Sequence, residues 1–147
     1  LPCLTAFIPM LMDTGGNSGS QACVSIIRGI SLNEIEFRDL GRVVWKEIRV
    51  SVLCGVCLAI ACFAKIIVVD MLLLKSESVT YLVAFVVCAT MAVTVCLAKI
   101  VGSTLPLLAK KLGFDPAVMA SPIITTIVDF LSLLVYFAFA TAMLGIG

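Results

Sequence analysis

The stretch TTIVDFLSLLVYF, residues 125–137, holds one charged side chain, Asp129, among residues that are otherwise uncharged. It lies within the apolar segment 117–144, which is long enough to cross a membrane, since about 20 residues span the hydrocarbon core as a helix. A carboxylate at the centre of such a segment costs roughly 2.5–3.5 kcal/mol on insertion scales and almost always faces a pore or a partner. Asp129 is therefore the first candidate for a functional residue.

The composition of the whole chain is that of a membrane protein. Its 147 residues are 62% hydrophobic and 13% charged, whereas globular domains average about 45–50% apolar and about 25% charged residues. Three further apolar segments lie at 1–27, 50–69 and 79–98. Together with 117–144 they predict an all-α, polytopic membrane helical bundle with four spanning helices. The net charge of +1 gives no indication of a nucleic-acid partner.

The distribution of basic residues predicts the orientation of the chain. Eight of its ten Lys and Arg residues lie in the segments 28–49 and 99–116. Because cytoplasmic loops are enriched in Lys and Arg, both segments are predicted on the cytoplasmic side of the cell (inner) membrane. Both termini then face outward. The chain begins at the apolar Leu1 without an initiating Met or a basic signal region, so we expect a fragment that lacks at least one upstream span.

The cysteines do not indicate a catalytic or redox site. The chain has seven Cys and no His, and CGVC at 54–57 has no second motif to complete a metal site. Cys packs well as a small apolar residue between helices, which is the interpretation we adopt. The absence of His argues against the usual zinc sites and against Ser-His catalysis. We therefore predict a protein that is not an enzyme and has no catalytic cofactor.

A second acid is predicted at the same membrane depth as Asp129. Asp129 follows Asp115 by 14 residues, and Asp13 precedes Arg28 by 15 residues. If both segments are helical throughout, each carboxylate lies roughly 21–22 Å from its end of the span, near the middle of the bilayer. Asp115-Pro116 suits the start of the last helix, because Asp is a good N-cap and Pro fits the first turn.

Polar groups surround both acids. Thr125 and Ser121 precede Asp129 by one and two helical turns on the same face, and Asn17 follows Asp13 by one turn. The set offers only oxygen ligands, which favour hard cations such as Mg²⁺. Because Mg²⁺ sheds its water reluctantly, these groups are expected to touch its hydration shell.

The same segments contain residues that break helices. The paired glycines Gly15 and Gly16 predict a kink in the first span, and Pro9, Pro106 and Pro122 each leave one backbone carbonyl without its helical partner. Carbonyls freed in this way within a membrane line watery cavities in many transporters. Small residues at helix-packing spacing also predict close helix contacts, at Gly15/Gly19, Ser51/Gly55/Ala59 and Ala98/Gly102.

Three motifs in order resemble the MgtE family of magnesium transporters: PMLMDTGGNSGSQA (9–22), IIRG (26–29) and LGFDPAVMASPIITTIVDFLSLLVYF (112–137). The resemblance implies a Mg²⁺ channel or transporter, a homodimer of five-helix subunits whose first helix is missing from this chain. It also implies that the family's cytoplasmic regulatory domains lie outside 1–147, which would be the ion-conducting domain. Mg²⁺ is then the transported ion, with other divalent cations as further candidates.

The resemblance also assigns roles to individual residues. It implies an ion pathway at the dimer interface, between the first and last spans of this chain. Asp129 corresponds to the aspartate that meets hydrated Mg²⁺, and Asn17 to the asparagine beside the pore. Thr125 and Ser121 correspond to the backbone positions one and two turns before that aspartate.

Two alternatives stay open at this point. Asp13-Thr14-Gly15 reproduces the D-T-G tripeptide of aspartic proteases, so Asp13 and Asp129 could form the dyad of an intramembrane aspartyl protease. The chain could also be a non-conducting membrane assembly subunit whose acid pairs with a partner's base.

Overall fold

The computed structural model describes residues 2–75, 79–120 and 122–145, in which every regular element is a helix. A short helix α1 (Pro2–Thr5) precedes four long helices. These are α2 (Ile8–Ser31), α3 (Leu40–Lys65), α4 (Tyr81–Lys111) and α5 (Pro122–Leu144), with a π-helix, Ile66–Leu73, continuing α3. Single 3-10 turns, Phe37–Asp39 and Pro116–Met119, precede α3 and α5. The predicted all-α helical bundle is confirmed.

Helix α4 is the centre of the bundle and packs against α2, α3 and α5. Helices α2 and α5 also pack against each other, although they come from opposite ends of the sequence. At one end of the bundle, the buried Tyr136 hydroxyl of α5 donates a hydrogen bond of 2.9 Å to the carbonyl of Leu4. This contact fixes α1 against the end of α5.

Small residues let the helices approach closely, as the sequence predicts. A Cβ added to Gly102 of α4 would overlap the backbone carbonyl of Gly19 in α2. Gly55 of α3 leaves similarly little room, since a Cβ there would lie 3.2 Å from the carbonyl oxygen of Ala92. Because no larger side chain separates the helices at these positions, their backbones come into contact.

Gly15 and Gly16, where the sequence predicts a kink, lie inside a helix that runs without interruption from Ile8 to Ser31, and both glycines are buried. The kink itself stays a prediction. A Cβ on Gly15 would lie 2.7 Å from Cγ2 of Thr94 and 3.0 Å from Cγ1 of Val128. Because neighbouring helices press against these glycines from α4 and α5, tertiary packing holds them in the helix despite their low intrinsic preference for it.

Pro9 and Pro122 do interrupt their predicted spans, but at the start of a helix and not inside one: α1 ends at Thr5 before α2, and Ala120 is extended before α5. Each proline lies in the first turn of a helix, α2 or α5, where a missing N–H costs nothing. Only Pro106, among the prolines of the described residues, is inside a long helix. The first predicted segment, 1–27, is accordingly divided between α1 and α2.

The last predicted span begins later than its sequence suggests. Asp115 does act as an N-cap, accepting a 2.9 Å hydrogen bond from the amide of Ala117, but it caps only the 3-10 turn. Ala120 is extended, and α5 starts at Pro122. Since the position before a proline disfavours helix, Pro122 itself explains the restart. Asp129 is therefore about 10 Å along α5, seven residues from its start, rather than about 21 Å.

Three helical stretches of the described chain are long and apolar enough to cross a membrane: 37–73, 81–111 and 122–144. Each extends beyond or starts within a predicted span, and the π-helix after α3 continues to Leu73, past the end of the predicted span 50–69. Helix α2 carries the polar run 13–21, so its own crossing of the membrane stays a prediction.

Candidate functional site

Helices α2 and α5 form a cleft of about 150 Å³ that opens at the surface of the bundle. It brings together four of the five predicted site residues, along with two neighbours on α2. Its lining consists of Met12, Asp13, Gly16, Asn17, Thr125 and Asp129. We call this the oxygen-lined cleft, because carboxylate, amide and hydroxyl groups make up its polar surface.

Helical spacing explains how two short segments line one cleft. Asp13 and Asn17 are four residues apart on α2, and Thr125 and Asp129 are four residues apart on α5, so each pair lies on one helix face. Gly16 lies between the two faces. A Cβ at Gly16 would come within 3.1 Å of Thr125 Cγ2 and 3.7 Å of Asp129 Oδ1. Because Gly16 has no side chain, Thr125 and Asp129 of α5 can lie close to α2.

The cleft is accessible and its acids are not neutralised by nearby bases. Asp13 and Asn17 are exposed on the isolated chain, whereas Thr125 and Asp129 are half-buried. The Thr125 hydroxyl donates a 3.0 Å hydrogen bond to the carbonyl of Pro122. In the described ranges, no Lys or Arg forms an ion pair with either Asp13 or Asp129. Two acidic side chains thus face an open cleft, which is a favourable environment for a cation.

A second polar cleft, of about 340 Å³, lies on the neighbouring side of α2. It shares Asp13 and Asn17 with the oxygen-lined cleft and adds polar side chains from the next turns of α2. Helix α3 contributes Cys54 and Leu58 to it, and α4 contributes Lys99. The two clefts together surround one face of α2 with polar groups.

Lys99 was predicted in a cytoplasmic loop, but it is buried within α4. Its Nζ atom lies 3.9 Å from a carboxylate oxygen of Glu47, which is buried on α3. The sequence gives little sign of the pair, because Lys99 and Glu47 are 52 residues apart and Glu47 has Lys46 and Arg49 as nearer charged neighbours. Glu47 gives Lys99 an opposite charge, so the ammonium group is paired although it borders a cleft that contains Asp13.

Two further predictions concern Ser121 and the tripeptide Asp13-Thr14-Gly15. Ser121 lies outside the described residues. Asp13-Thr14-Gly15 lies inside the continuous helix α2, rather than in the β structure that carries this tripeptide in aspartic proteases. No group of three or more His, Cys, Asp or Glu side chains suited to hold a bare metal ion occurs in the described ranges. The roles of Asp13, Asn17, Thr125 and Asp129 in metal binding stay predictions.

Comparison with known proteins gives a match over residues 8–139 to the MgtE family model, described as a divalent cation transporter. The chain belongs to the MgtE family. The four described residues of the predicted site all lie inside the matched range. The predicted resemblance is thereby confirmed.

Individual relatives agree with this MgtE assignment. The chain is 34% identical over 141 residues to the magnesium transporter MgtE of Bacillus subtilis, covering 96% of this chain and 30% of the relative. It is 33% identical over 141 residues to the magnesium transporter MgtE of Thermus thermophilus, covering 96% of this chain and 29% of that relative. The chain thus spans about a third of the length of these curated MgtE proteins, whose names describe transporters.

Proposed function

We propose that residues 1–147 are the ion-conducting membrane domain of a divalent-cation channel or transporter that carries Mg²⁺. The observation that supports this most directly is the oxygen-lined cleft, in which Asp13, Asn17, Thr125 and Asp129 meet. A bundle of apolar helices gains nothing from such a cleft unless water or a polar ligand occupies it. The names of the MgtE relatives favour Mg²⁺ as that ligand.

The ion passes the cleft with part of its hydration shell. Oxygen groups on two helices can accept hydrogen bonds from, or donate them to, water bound to Mg²⁺, whose dehydration is unfavourable. Asp129 supplies the charge that attracts the cation, and Asn17 and Thr125 orient the bound water. Mg²⁺ is here the cargo, with no catalytic cofactor required. A membrane potential of 100 mV contributes about 4.6 kcal/mol to the entry of a dication, twice the single-charge value.

The functional unit is a homodimer with the pathway at its interface. The oxygen-lined cleft is open on the isolated chain, and a polar surface of that kind is costly when it faces lipid. A second copy related by a twofold axis covers the oxygen-lined cleft of the first, and its own oxygen-lined cleft is covered in turn. The two Asp129 carboxylates then lie beside one axis. Their combined charge matches that of a dication.

The domain lies in the cell (inner) membrane with the segments 28–49 and 99–116 in the cytoplasm. The basic residues near these segments support this orientation. Burial of Lys99 reduces the exposed positive charge of the second segment, although Lys110 and Lys111 remain exposed. The cytoplasmic regulatory domains that the family resemblance implies would lie outside residues 1–147.

Restoration of growth tests the transport proposal. The full-length protein carrying this domain is expressed in cells that lack their own Mg²⁺ uptake and are starved of Mg²⁺. We expect the unchanged protein and a Glu34→Gln variant to restore growth, since Glu34 is exposed and distant in sequence from the cleft residues. We expect Asp129→Asn to fail although it reaches the membrane in equal amount.

Two outcomes contradict the proposal. Growth supported equally by Asp129→Asn removes the proposed role of this carboxylate. Failure of the unchanged protein, present in the membrane, favours the non-conducting assembly subunit instead.

A further inference from the structure

Helix α3 presents one continuous exposed face that the transport proposal does not use. Residues at spacings of three or four follow this face from the start of the helix to its end. Its first part is basic and aromatic, and its second part is apolar. We call it the α3 strip, and it consists of Arg42, Trp45, Arg49, Val52, Val56, Ile60 and Phe63.

The apolar part of the α3 strip borders two adjoining grooves between α3 and α4. Their volumes are about 400 and 250 Å³, and they share Val56 and Ala92. Small side chains on the facing helix surfaces, including Ala59 and Ala92, leave this space unfilled. The grooves are lined by apolar and cysteine side chains, with Gly55 at the closest approach of the helices.

The basic part of the α3 strip carries cations that the described residues leave unpaired. Arg42, Lys46 and Arg49 are all exposed, and within the ranges that the structure describes none of them forms an ion pair. Glu47 is the one acid between them, and it is buried toward Lys99 on the opposite side of α3. The exposed side chains of α3 from Arg42 to Arg49 are therefore either positively charged or uncharged.

Trp45 lies within the basic part of the α3 strip. It is 61% exposed, lies between Arg42 and Arg49 on the same face, and is of the residue type enriched where membrane meets water. Helix α3 belongs to a stretch long and apolar enough to span the membrane. Two cations that flank an amphipathic ring are followed along the strip by the apolar grooves, which is the order of headgroup and acyl chain in a phospholipid.

We propose that the α3 strip is a binding site for an anionic phospholipid. The lipid phosphate lies between Arg42 and Arg49 beside Trp45, and one acyl chain occupies the grooves beside Val56. Charge complementarity favours this occupant over a second copy of the chain, because the basic end of the strip attracts an anion. The grooves between α3 and α4 are apolar and suit an acyl chain. Basic clusters at a membrane surface attract anionic lipids in this way.

Quenching of Trp45 fluorescence by brominated lipids tests the proposal. Residues 1–147 contain one tryptophan, Trp45, so the signal reports on the strip alone once any tryptophan elsewhere in the full-length protein is replaced by phenylalanine. This full-length protein is reconstituted in vesicles containing either phosphatidylglycerol or phosphatidylcholine brominated near the carboxyl end of the acyl chains, at equal mole fractions. We expect phosphatidylglycerol to bind more tightly than phosphatidylcholine, by roughly fivefold for each arginine that reaches the phosphate. High salt should reduce this preference.

Two variants and one control isolate the site. Arg42→Gln combined with Arg49→Gln should abolish the preference for phosphatidylglycerol. Ala64→Phe, at an exposed position bordering the larger groove, should weaken binding of both lipids without changing charge. The matched control, Arg28→Gln with Lys110→Gln, removes two exposed cations from α2 and α4 and should keep the preference.

Each other result overturns the proposal. Equal quenching by the two lipids in the unchanged chain shows that the site does not select an anionic lipid. A preference that survives loss of Arg42 and Arg49 places the lipid elsewhere. If neither lipid quenches Trp45 and cross-linking joins two α3 helices, a second copy occupies the strip. Should the double arginine variant misfold, by circular dichroism, Ala64→Phe alone decides the question.

Discussion

Asp13 and Asp129 are 116 residues apart in sequence, yet their side chains line one cleft. Each was predicted as a candidate because a charge is costly in an apolar segment, and each has its predicted polar neighbour one turn away. Their meeting was predictable only through the family resemblance, since helix spacing relates residues within a helix and not between helices. The burial of Lys99 could not be predicted from the sequence. Its burial depends on Glu47, and no local pattern connects the two.

Gly16 provides a prediction at the scale of a single residue. Its missing side chain lets Thr125 and Asp129 approach α2, and a Cβ would lie 3.1 Å from Thr125 Cγ2. Gly16→Ala should leave stability nearly unchanged, because about 0.5–1 kcal/mol gained in helix preference offsets the tighter contact. Mg²⁺ uptake should fall, since Thr125, which lines the cleft, must shift.

Uptake by proteoliposomes and thermal melting of the purified protein check this expectation together. Gly41→Ala is the matched control, because a Cβ at Gly41 meets nothing within 4 Å, and it should preserve both uptake and melting temperature. Unchanged uptake in Gly16→Ala would show that the spacing of α2 and α5 at the cleft does not matter.

At the scale of the helices, the sequence predicted the elements better than their ends. Apolar length located the long helices, but the break expected at Pro9 is the start of α2, and Gly15 and Gly16 lie inside that helix without interrupting it. A glycine pair lowers helix preference in isolation, and a proline marks either a break or a first turn. Packing of α4 and α5 against α2 decides between these outcomes, and that packing is not encoded locally.

The buried pair Lys99–Glu47 gives a prediction for the contact between α3 and α4. Removing one partner leaves an uncompensated buried charge, so Lys99→Met alone should destabilise the protein by about 3–5 kcal/mol. Replacing both residues, Lys99→Met with Glu47→Leu, should recover most of that loss because no charge is then left unpaired.

Denaturation of the solubilised protein, followed across the double-mutant cycle, measures the coupling. Lys110→Met is the control, since Lys110 is an exposed residue of the same helix. If the effects of the two single changes simply add, Lys99 and Glu47 do not stabilise each other.

At the scale of the whole molecule, the chain is an apolar bundle around α4 with polar groups concentrated along α2. The oxygen-lined cleft opens where α2 and α5 meet, and a second copy of the chain is proposed to close it. The α3 strip lies on a different face, where a lipid is proposed to bind. Membrane character followed from composition, whereas the location of each surface required the packing of the helices.

The most direct test of the central claim is Mg²⁺ flux through the oxygen-lined cleft. The full-length protein is reconstituted in proteoliposomes, and uptake of each divalent metal is measured with and without an imposed potential. The account predicts Mg²⁺ uptake that increases with an inside-negative potential, is lost in Asp129→Asn and is retained in Glu34→Gln. Uptake by Asp129→Asn equal to that of the unchanged protein would contradict it.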